Sequence, residues 1–171
     1  AVDLPGDVRA MLVTHTVRPF SSRGEVRPFD AAADGTLVGE GAATVVLKRL
    51  SDAVAAGDRI YAVIRGLGFA GGSGSVPDRQ TYRRALERAY ADAHVAPGRV
   101  SYLETHGSGY PEEDRVEAEA LSVFFSSGDS HSNGATCAIG SSKPTIGHTG
   151  AVAGLASVVK TAICLYQEIV P

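Results

Sequence analysis

Several features that would mark other classes of protein are scarce or absent in this chain of 171 residues. It has no tryptophan, one methionine and two cysteines, Cys137 and Cys164, which stand in no zinc or C-x-x-C spacing. Basic residues number 16 against 19 acidic ones, giving a formal net charge of −3 and no basic excess for a nucleic-acid partner. No run of 18 apolar residues predicts a membrane span, and no signal peptide opens the chain. These absences favour a protein of the reducing cytoplasm that binds neither nucleic acid nor membrane.

The composition that remains is that of a globular chain with one core. Hydrophobic residues make up 44% and charged residues 20% of the sequence, which excludes disorder over the whole length. The chain opens at Ala1 without an initiator methionine and stops at Pro171 directly after an apolar stretch. We therefore expect the sequence to be part of a longer protein.

Short β-branched runs alternate with helical patterns along the chain. Strands are predicted at residues 42–47, 60–64, 100–103 and 136–139, and helices at 51–56, 78–93, 112–125 and 150–167. This alternation predicts an α/β protein with a parallel or mixed sheet between helix layers. The last helix carries apolar or small residues on several sides, so it is expected to be buried nearly all round.

Two histidines follow predicted strands and are flanked by small residues. His106 lies in the segment 105–110, and His148 ends the segment 140–148. In such sheets, sites form outside the carboxyl ends of the strands, so we expect the two segments to share a pocket. The other histidines, His15, His94 and His131, have ordinary surface or capping settings.

Other kinds of site remain as alternatives. Gly66, Gly68 and Gly71 match the G-x-G-x-x-G pattern of dinucleotide-binding folds, although six residues separate the third glycine from the predicted helix. A metal site would need a third ligand beyond the two histidines, and the candidates in the sequence are carboxylates such as Asp114 or Glu117. No G-x-S-x-G nucleophile elbow is present, which leaves hydrolase chemistry without a nucleophile.

The two histidines suit the stabilisation of an oxyanion. His148 precedes a helix N-terminus and has Lys143 close in sequence, and both effects favour a neutral imidazole at pH 7. Two neutral imidazoles can each donate one N–H to the same carbonyl oxygen as it becomes an enolate, and each donor contributes about 3 kcal/mol. A buried Lys143 needs an acidic partner, and Glu117 is the first candidate.

The motifs around these residues resemble those of β-ketoacyl synthases. Residues 105–109, Thr-His-Gly-Ser-Gly, resemble the T-H-G-T-G-T motif of that family, and residues 143–148 resemble its K-x-x-x-G-H motif. Residues 27–30, 34–35 and 39–42 resemble its R-P-F-D, D-G and G-E-G-A segments. The matching segments occur in the family's order between residues 27 and 171. The sequence is most similar to the ketosynthases of polyunsaturated fatty acid synthases and iterative polyketide synthases.

The resemblance implies a thiolase-like fold, with residues 1–65 ending its N-terminal half and residues 66–171 forming most of its C-terminal half. It implies an acyltransferase that joins malonyl and acyl thioesters by decarboxylative Claisen condensation in fatty acid or polyketide synthesis. The implied partners are an acyl carrier protein, the N-terminal half of the ketosynthase and a second copy in a homodimer. No cofactor is bound directly, because the phosphopantetheine arm arrives on the carrier protein.

The resemblance also assigns roles to particular residues. His106 and His148 are implied to bind the malonyl thioester oxygen, with Lys143 and Glu117 in support, and Ser108 to contact the pantetheine arm. Three positions depart from the family pattern: Tyr110, also placed on the arm, replaces a threonine, Glu113 replaces a glycine, and Ser157 stands where some members have an acid.

The family's nucleophilic cysteine has no counterpart in the chain. Neither Cys137 nor Cys164 matches it, so the chain alone is expected to be inactive in condensation. A thiolase- or decarboxylase-like member of the superfamily, and a non-catalytic structural or docking fragment, are the remaining alternatives.

Overall fold

A computed structural model gives the structure of the protein and describes residues 1–72, 74, 77–126 and 137–171. The described residues form six α-helices and four short strands. The helices are α1 (Val8–Val17), α2 (Leu50–Ala56), α3 (Arg79–Ala93), α4 (Pro111–Ser126), α5 (Lys143–Ile146) and α6 (Ala153–Gln167). The strands are β1 (Val2–Asp3), β2 (Gly41–Ala42), β3 (Tyr102–Glu104) and β4 (Ala138–Gly140), and 3₁₀ turns occupy Pro97–Arg99 and Gly150–Val152.

The strands pair in two small sheets of different direction. Strands β1 and β2 are antiparallel, whereas β3 and β4 are parallel, with Glu104 opposite Gly140 at their carboxyl ends. The segments that carry His106 and His148 therefore leave the same edge of the β3–β4 pair. This is the arrangement that the alternating pattern predicted.

Helices α3 and α4 pack against each other beside this pair of strands. Asp78 caps α3, because its side chain accepts a hydrogen bond from the Thr81 N–H at 2.7 Å. The Tyr90 ring meets the edge of Phe124 with the ring centroids 4.9 Å apart. Three acidic residues, Glu112, Glu113 and Asp114, lie in the first turn of α4, where their charges complement the helix dipole.

Two predicted strands are not formed among the described residues. Only Ala42 of the stretch 42–47 is in a strand, and residues 60–64 are in none. A strand requires a hydrogen-bonded neighbour, and these β-branched runs find none within the described chain. Their side chains are correspondingly open, as shown by Val46, which is 92% exposed.

Helix α6 is far more exposed than predicted. Only Ala153 and Cys164 of this helix are buried, and Leu165 is 61% exposed. The expectation of burial all round was wrong for the described chain, because little of it packs on the helix. Within those residues, Gly150–Gln167 is also the single helical stretch long and apolar enough to cross a membrane by length and composition. It is not an uninterrupted apolar run, because it contains Ser157, Lys160 and Thr161.

Candidate active site

The backbone of His106 is held at both of its polar groups. Its N–H donates to Glu117 Oε1 at 2.8 Å, and the next N–H, of Gly107, donates to Glu117 Oε2 at 2.9 Å. Its carbonyl oxygen accepts a hydrogen bond from Lys143 Nζ. Glu117 and Lys143 are 4% and 2% exposed, so the hydrogen bonds that both residues make to the His106 backbone are shielded from solvent.

A second buried carboxylate, that of Asp114, organises the loop after His106. It accepts hydrogen bonds from the N–H groups of Ser108 at 2.8 Å and Gly109 at 3.2 Å. It also accepts from the N–H of Phe29 at 2.9 Å, which joins residues 27–30 to the histidine loop. Asp114 and Glu117 are three residues apart on α4, so one face of that helix presents both carboxylates.

The backbone of His148 is held by the segment 37–39. Its N–H donates to the Leu37 carbonyl at 2.7 Å, and its own carbonyl accepts from the N–H of Gly39 at 3.1 Å. A Cβ atom on Gly39 would lie 2.1 Å from the Ile146 carbonyl oxygen, so the close approach of these segments requires glycine here. The two histidines thus have the same kind of support from different parts of the chain.

The imidazole rings of His106 and His148 lie next to each other. Their centroids are 5.7 Å apart and their planes are nearly perpendicular, at 78°. The two rings are therefore neighbours, as expected from the strand ends that precede them, and their joint role in one active site stays a prediction. Burial lowers the pKa of His148 to about 4, and the charges of Lys143 and His106 act in the same direction. His148 is consequently neutral at pH 7, as predicted; burial is the largest cause, and Lys143 contributes in the predicted direction.

The hydrogen-bond partner of His148 determines which ring nitrogen carries the hydrogen. Nδ1 accepts a hydrogen bond from the N–H of Gly150 at 3.1 Å, so in the neutral ring the hydrogen is on Nε2. That Nε2 is buried and has no hydrogen-bond partner among the residues that the structure describes. A buried donor without a partner is costly, and it is a site at which an acceptor would bind.

Lys143 does not form the direct ion pair expected with Glu117. Among the ion pairs of the described residues none joins the two. Instead Glu117 accepts a hydrogen bond from the His106 N–H, and Lys143 donates one to the His106 carbonyl oxygen. Burial lowers the pKa of Lys143, while the charge of Glu117 counteracts that shift. Glu117 therefore compensates the lysine charge through space, and its oxygens are used by backbone N–H groups instead.

Ser108 and Tyr110 are enclosed within the loop that follows His106. Ser108 is fully buried, and its hydroxyl accepts from the N–H of Tyr110 at 3.2 Å. The hydroxyl of Tyr110 is buried without a partner in the described structure, and burial raises its pKa to about 12. Their predicted contact with a pantetheine arm stays a prediction.

Two charged residues at the site were missed by the sequence analysis as functional groups. Glu113 lies with Oε2 3.6 Å from His106 Nε2, and its Oε1 pairs with Arg18 at 2.9 Å. Glu113 was noted only as a departure from the family pattern. Arg18 carried no signal, because it follows α1 in a segment remote in sequence from either histidine.

Ser157 and Glu104 form a separate polar group near Lys143. The Ser157 hydroxyl lies 3.4 Å from Glu104 Oε1, and Lys160 Nζ lies 2.8 Å from Glu104 Oε2. The charge of Glu104 also counteracts the lowering of the Lys143 pKa.

The alternative sites receive little support. Gly66 and Gly68 pack against α3, where a Cβ on Gly68 would lie 2.0 Å from the Ala85 carbonyl oxygen, and α3 begins only at Arg79. No group of three potential metal ligands occurs within the described residues. Burial raises the pKa of the Cys137 thiol, which disfavours its thiolate, and the side chain of Cys164 is buried in α6. His131 lies outside the described residues.

Comparison with solved structures defines the class of protein to which this fold and site belong. The bacillaene synthase module 6 ketosynthase of Bacillus subtilis superposes with a TM-score of 0.87 at 36% identity over 95% of this chain. The oxazolomycin ketosynthase domain OzmH KS7 of Streptomyces albus superposes with a TM-score of 0.88 at 34% identity, also over 95%. The chain therefore has the thiolase-like α/β fold of ketosynthases.

Comparison with family models makes the assignment specific. The C-terminal domain of β-ketoacyl synthases matches residues 61–171, and the N-terminal domain matches residues 1–53. The chain belongs to the β-ketoacyl synthase family. It is 42% identical over 156 residues to a subunit of the polyunsaturated fatty acid synthase of Thraustochytrium, and 40% identical over 158 residues to polyketide synthase ThaG of Burkholderia thailandensis.

The chain spans only a part of each of these proteins. The alignment with polyketide synthase ThaG includes 90% of this chain but 3% of ThaG. The alignment with the polyunsaturated fatty acid synthase subunit includes 89% of this chain but 6% of that subunit. The chain spans 28–30% of the two solved ketosynthase chains.

Proposed function

We propose that this chain forms the two-histidine part of a β-ketoacyl synthase active site, which stabilises the enolate of a malonyl thioester. The observation that carries the proposal is the buried Nε2 of His148, a donor without a partner in the described structure, beside the His106 ring at 5.7 Å. Two imidazole N–H groups that lie side by side can both donate hydrogen bonds to one oxygen and stabilise it as it gains negative charge. Family membership supports the same chemistry.

The proposed reaction is decarboxylation coupled to carbon–carbon bond formation. The bond between the malonyl methylene carbon and its carboxylate breaks, carbon dioxide leaves, and the electron pair forms the thioester enolate. His106 and His148 donate to the enolate oxygen as its charge develops. The enolate carbon then attacks the carbonyl carbon of an acyl thioester on a cysteine; the new carbon–carbon bond forms, the carbon–sulfur bond breaks, and the thiolate leaves.

The other residues act by fixing the two donors. Lys143 and Glu117 hold the His106 backbone, and the Leu37–Gly39 segment holds that of His148. Donors fixed in advance need no reorganisation when charge develops, which is the basis of their effect on rate. In this proposal Ser108 and Tyr110 shape the wall along a phosphopantetheine arm, and an acyl carrier protein delivers both substrates.

The rest of the proposal concerns the longer enzyme. Residues 1–65 would complete an N-terminal half and residues 66–171 most of a C-terminal half of a ketosynthase that acts as a homodimer. The nucleophilic cysteine would be contributed by a segment other than residues 1–171, because neither cysteine here has the properties of a nucleophile.

Enolate formation can be measured without the nucleophile, because decarboxylation requires only the oxygen-binding donors. The assay is carbon dioxide release from malonyl-N-acetylcysteamine by the purified protein. We expect His106→Ala and His148→Ala each to lower the rate by about 10²–10³-fold, the effect of removing one oxyanion donor.

The matched control is His94→Ala, which changes a histidine at the end of α3. It should leave the rate unchanged. The double variant H106A/H148A should lose less than the product of the two single effects, because the donors act on one oxygen. Equal rates for the wild type and both single variants would refute the proposal.

A further inference from the structure

The pair formed by Arg18 and Glu113 is placed to act on the histidine site. Glu113 lies in the first turn of α4, and its side chain is 14% exposed. One of its oxygens faces His106 Nε2 at 3.6 Å, and the other faces the Arg18 guanidinium at 2.9 Å. The same guanidinium lies over the Tyr110 ring, 5.7 Å from its centroid, so Arg18 is held on two sides.

We propose that Glu113 is a positioning residue that keeps hydrogen on Nε2 of His106, and that Arg18 cancels the carboxylate charge which an anionic substrate would otherwise meet. The inference rests on the proposed function, since it assigns these residues to the same thioester site. It also gives a role to two side chains that the histidine chemistry alone leaves unused.

The first half of the proposal follows from the contact with His106. A carboxylate beside an imidazole nitrogen favours the forms that carry hydrogen on that nitrogen, both neutral and protonated. Interaction with His106 lowers the pKa of Glu113, against the opposing effect of burial, so the carboxylate is ionised at neutral pH. His148 reaches the same state differently, through the hydrogen bond from Gly150 N–H to its Nδ1. Both rings then carry hydrogen on Nε2. The 3.6 Å between His106 Nε2 and Glu113 Oε2 is longer than a hydrogen bond, so a substrate oxygen at closer range can still accept this hydrogen.

The second half follows from the charge of the substrate. A malonyl thioester brings a carboxylate to the site, and its enolate develops a second negative centre. An uncompensated Glu113 would repel both, and the repulsion is strong where little water screens it. Arg18 forms an ion pair with Glu113 with its own side chain 33% exposed, so the substrate meets a neutral pair.

The charge effect is tested by comparing an anionic and a neutral thioester. Arg18→Gln should raise the KM for malonyl-N-acetylcysteamine about tenfold while leaving inhibition by acetyl-N-acetylcysteamine within twofold. Adding Glu113→Gln to that variant should restore most of the lost affinity, because the unpaired charge is then removed. Arg115→Gln is the matched control, because Arg115 forms its ion pairs with Glu112 and Glu119 on the exposed side of α4.

The positioning effect has a separate readout. In ¹⁵N spectra of histidine-labelled protein, His106 should show hydrogen on Nε2 in the wild type and in Glu113→Asp. Glu113→Gln should increase the form with hydrogen on Nδ1 and lower the decarboxylation rate three- to tenfold. If Arg18→Gln does not fold, the Glu113→Gln spectrum and rate still test the proposal.

Three results would overturn this inference: equal effects of Arg18→Gln on the malonyl and acetyl compounds, no rescue by Glu113→Gln, or an unchanged His106 spectrum in Glu113→Gln. If the His106→Ala and His148→Ala variants retain full decarboxylation, the proposed function itself has failed. If they lose it while the Arg18 and Glu113 variants behave like wild type, only the present inference has failed.

Discussion

Replacing Glu117 by glutamine should destabilise the protein strongly, although the two side chains have almost the same shape. The carboxylate accepts two backbone hydrogen bonds, from His106 and Gly107, at 2.8 and 2.9 Å. Glutamine has one acceptor oxygen, so its NH₂ group would face a backbone N–H, donor against donor. The substitution also removes the negative charge that compensates buried Lys143.

The expected magnitude follows from these losses. One charge-assisted hydrogen bond is lost and the other becomes a neutral one, which together cost about 2–4 kcal/mol. The unbalanced charge of buried Lys143 adds to this cost, and the upper limit is the roughly 3–5 kcal/mol of breaking a direct buried ion pair, which these two residues do not form. We therefore expect the free energy of unfolding to fall by about 3–5 kcal/mol, which lowers Tm by about 6–20 °C for a chain of this size.

The assay is urea unfolding followed by far-UV circular dichroism, with the slope against urea checked for constancy. Glu112→Gln provides the control on the same helix, because Glu112 is 83% exposed and its one ion pair within the described residues is with Arg115 on the surface. Its free energy of unfolding should stay within about 0.5 kcal/mol of the wild type. A Glu117→Gln effect no larger than that of Glu112→Gln would refute the reasoning.

A double-mutant cycle with Lys143→Met tests the compensation of charge. If Glu117 serves partly to balance the lysine, the double variant should lose at least about 1 kcal/mol less than the sum of the two single losses. Additive losses would mean that Glu117 acts only through its hydrogen bonds to the backbone.

Three further predictions concern other parts of the site. Gly39→Ala should destabilise the protein by about 1–3 kcal/mol, because its Cβ would lie 2.1 Å from the Ile146 carbonyl oxygen. Gly98→Ala should not, because no atom of the described residues lies within 4 Å of its Cβ position, and urea unfolding of both variants checks this. Folding lowers the pKa of His148 from 6.5 to about 4, so its contribution to the free energy of unfolding is complete above pH 6.5 and is lost as the pH falls towards 4. The free energy of unfolding of His148→Gln should therefore fall less between pH 7 and pH 4.5 than that of the wild type. Incubation of residues 1–171 with radiolabelled acyl carrier protein should leave no covalent acyl group, and robust labelling of Cys137 or Cys164 would contradict this.

The elements that the sequence predicted well are those whose signals are local. Helix α3 has an apolar face at helical spacing and Asp78 at its cap, and α4 opens with three acidic residues, so neither depends on distant partners. The pairing of β3 with β4 was predictable because strand–helix alternation implies a parallel sheet. From that pairing followed the meeting of His106 and His148.

The features that the sequence did not predict depend on contacts between remote segments. The run 42–47 has the composition of a strand, but a strand also needs a neighbour, which composition does not specify. Helix α6 has the composition of a core helix, yet its burial depends on what packs around it. The link between Arg18 and Glu113 joins the end of α1 to the start of α4, and no periodicity connects them.

The support of the two histidines explains why the site needs both family segments present in this chain. His148 comes from the region that matches the C-terminal domain, but its backbone is bound by residues 37–39, which match the N-terminal domain. In the same way Asp114 binds Phe29 across the two regions. In the proposed function, an oxyanion donor is effective when it is fixed before charge develops, so the hydrogen bonds that join the two regions would contribute to the chemistry as well as to stability. Any change that loosens the segment 37–39 should therefore lower the decarboxylation rate through His148 while leaving the hydrogen bonds that Glu117 and Lys143 make to His106 intact.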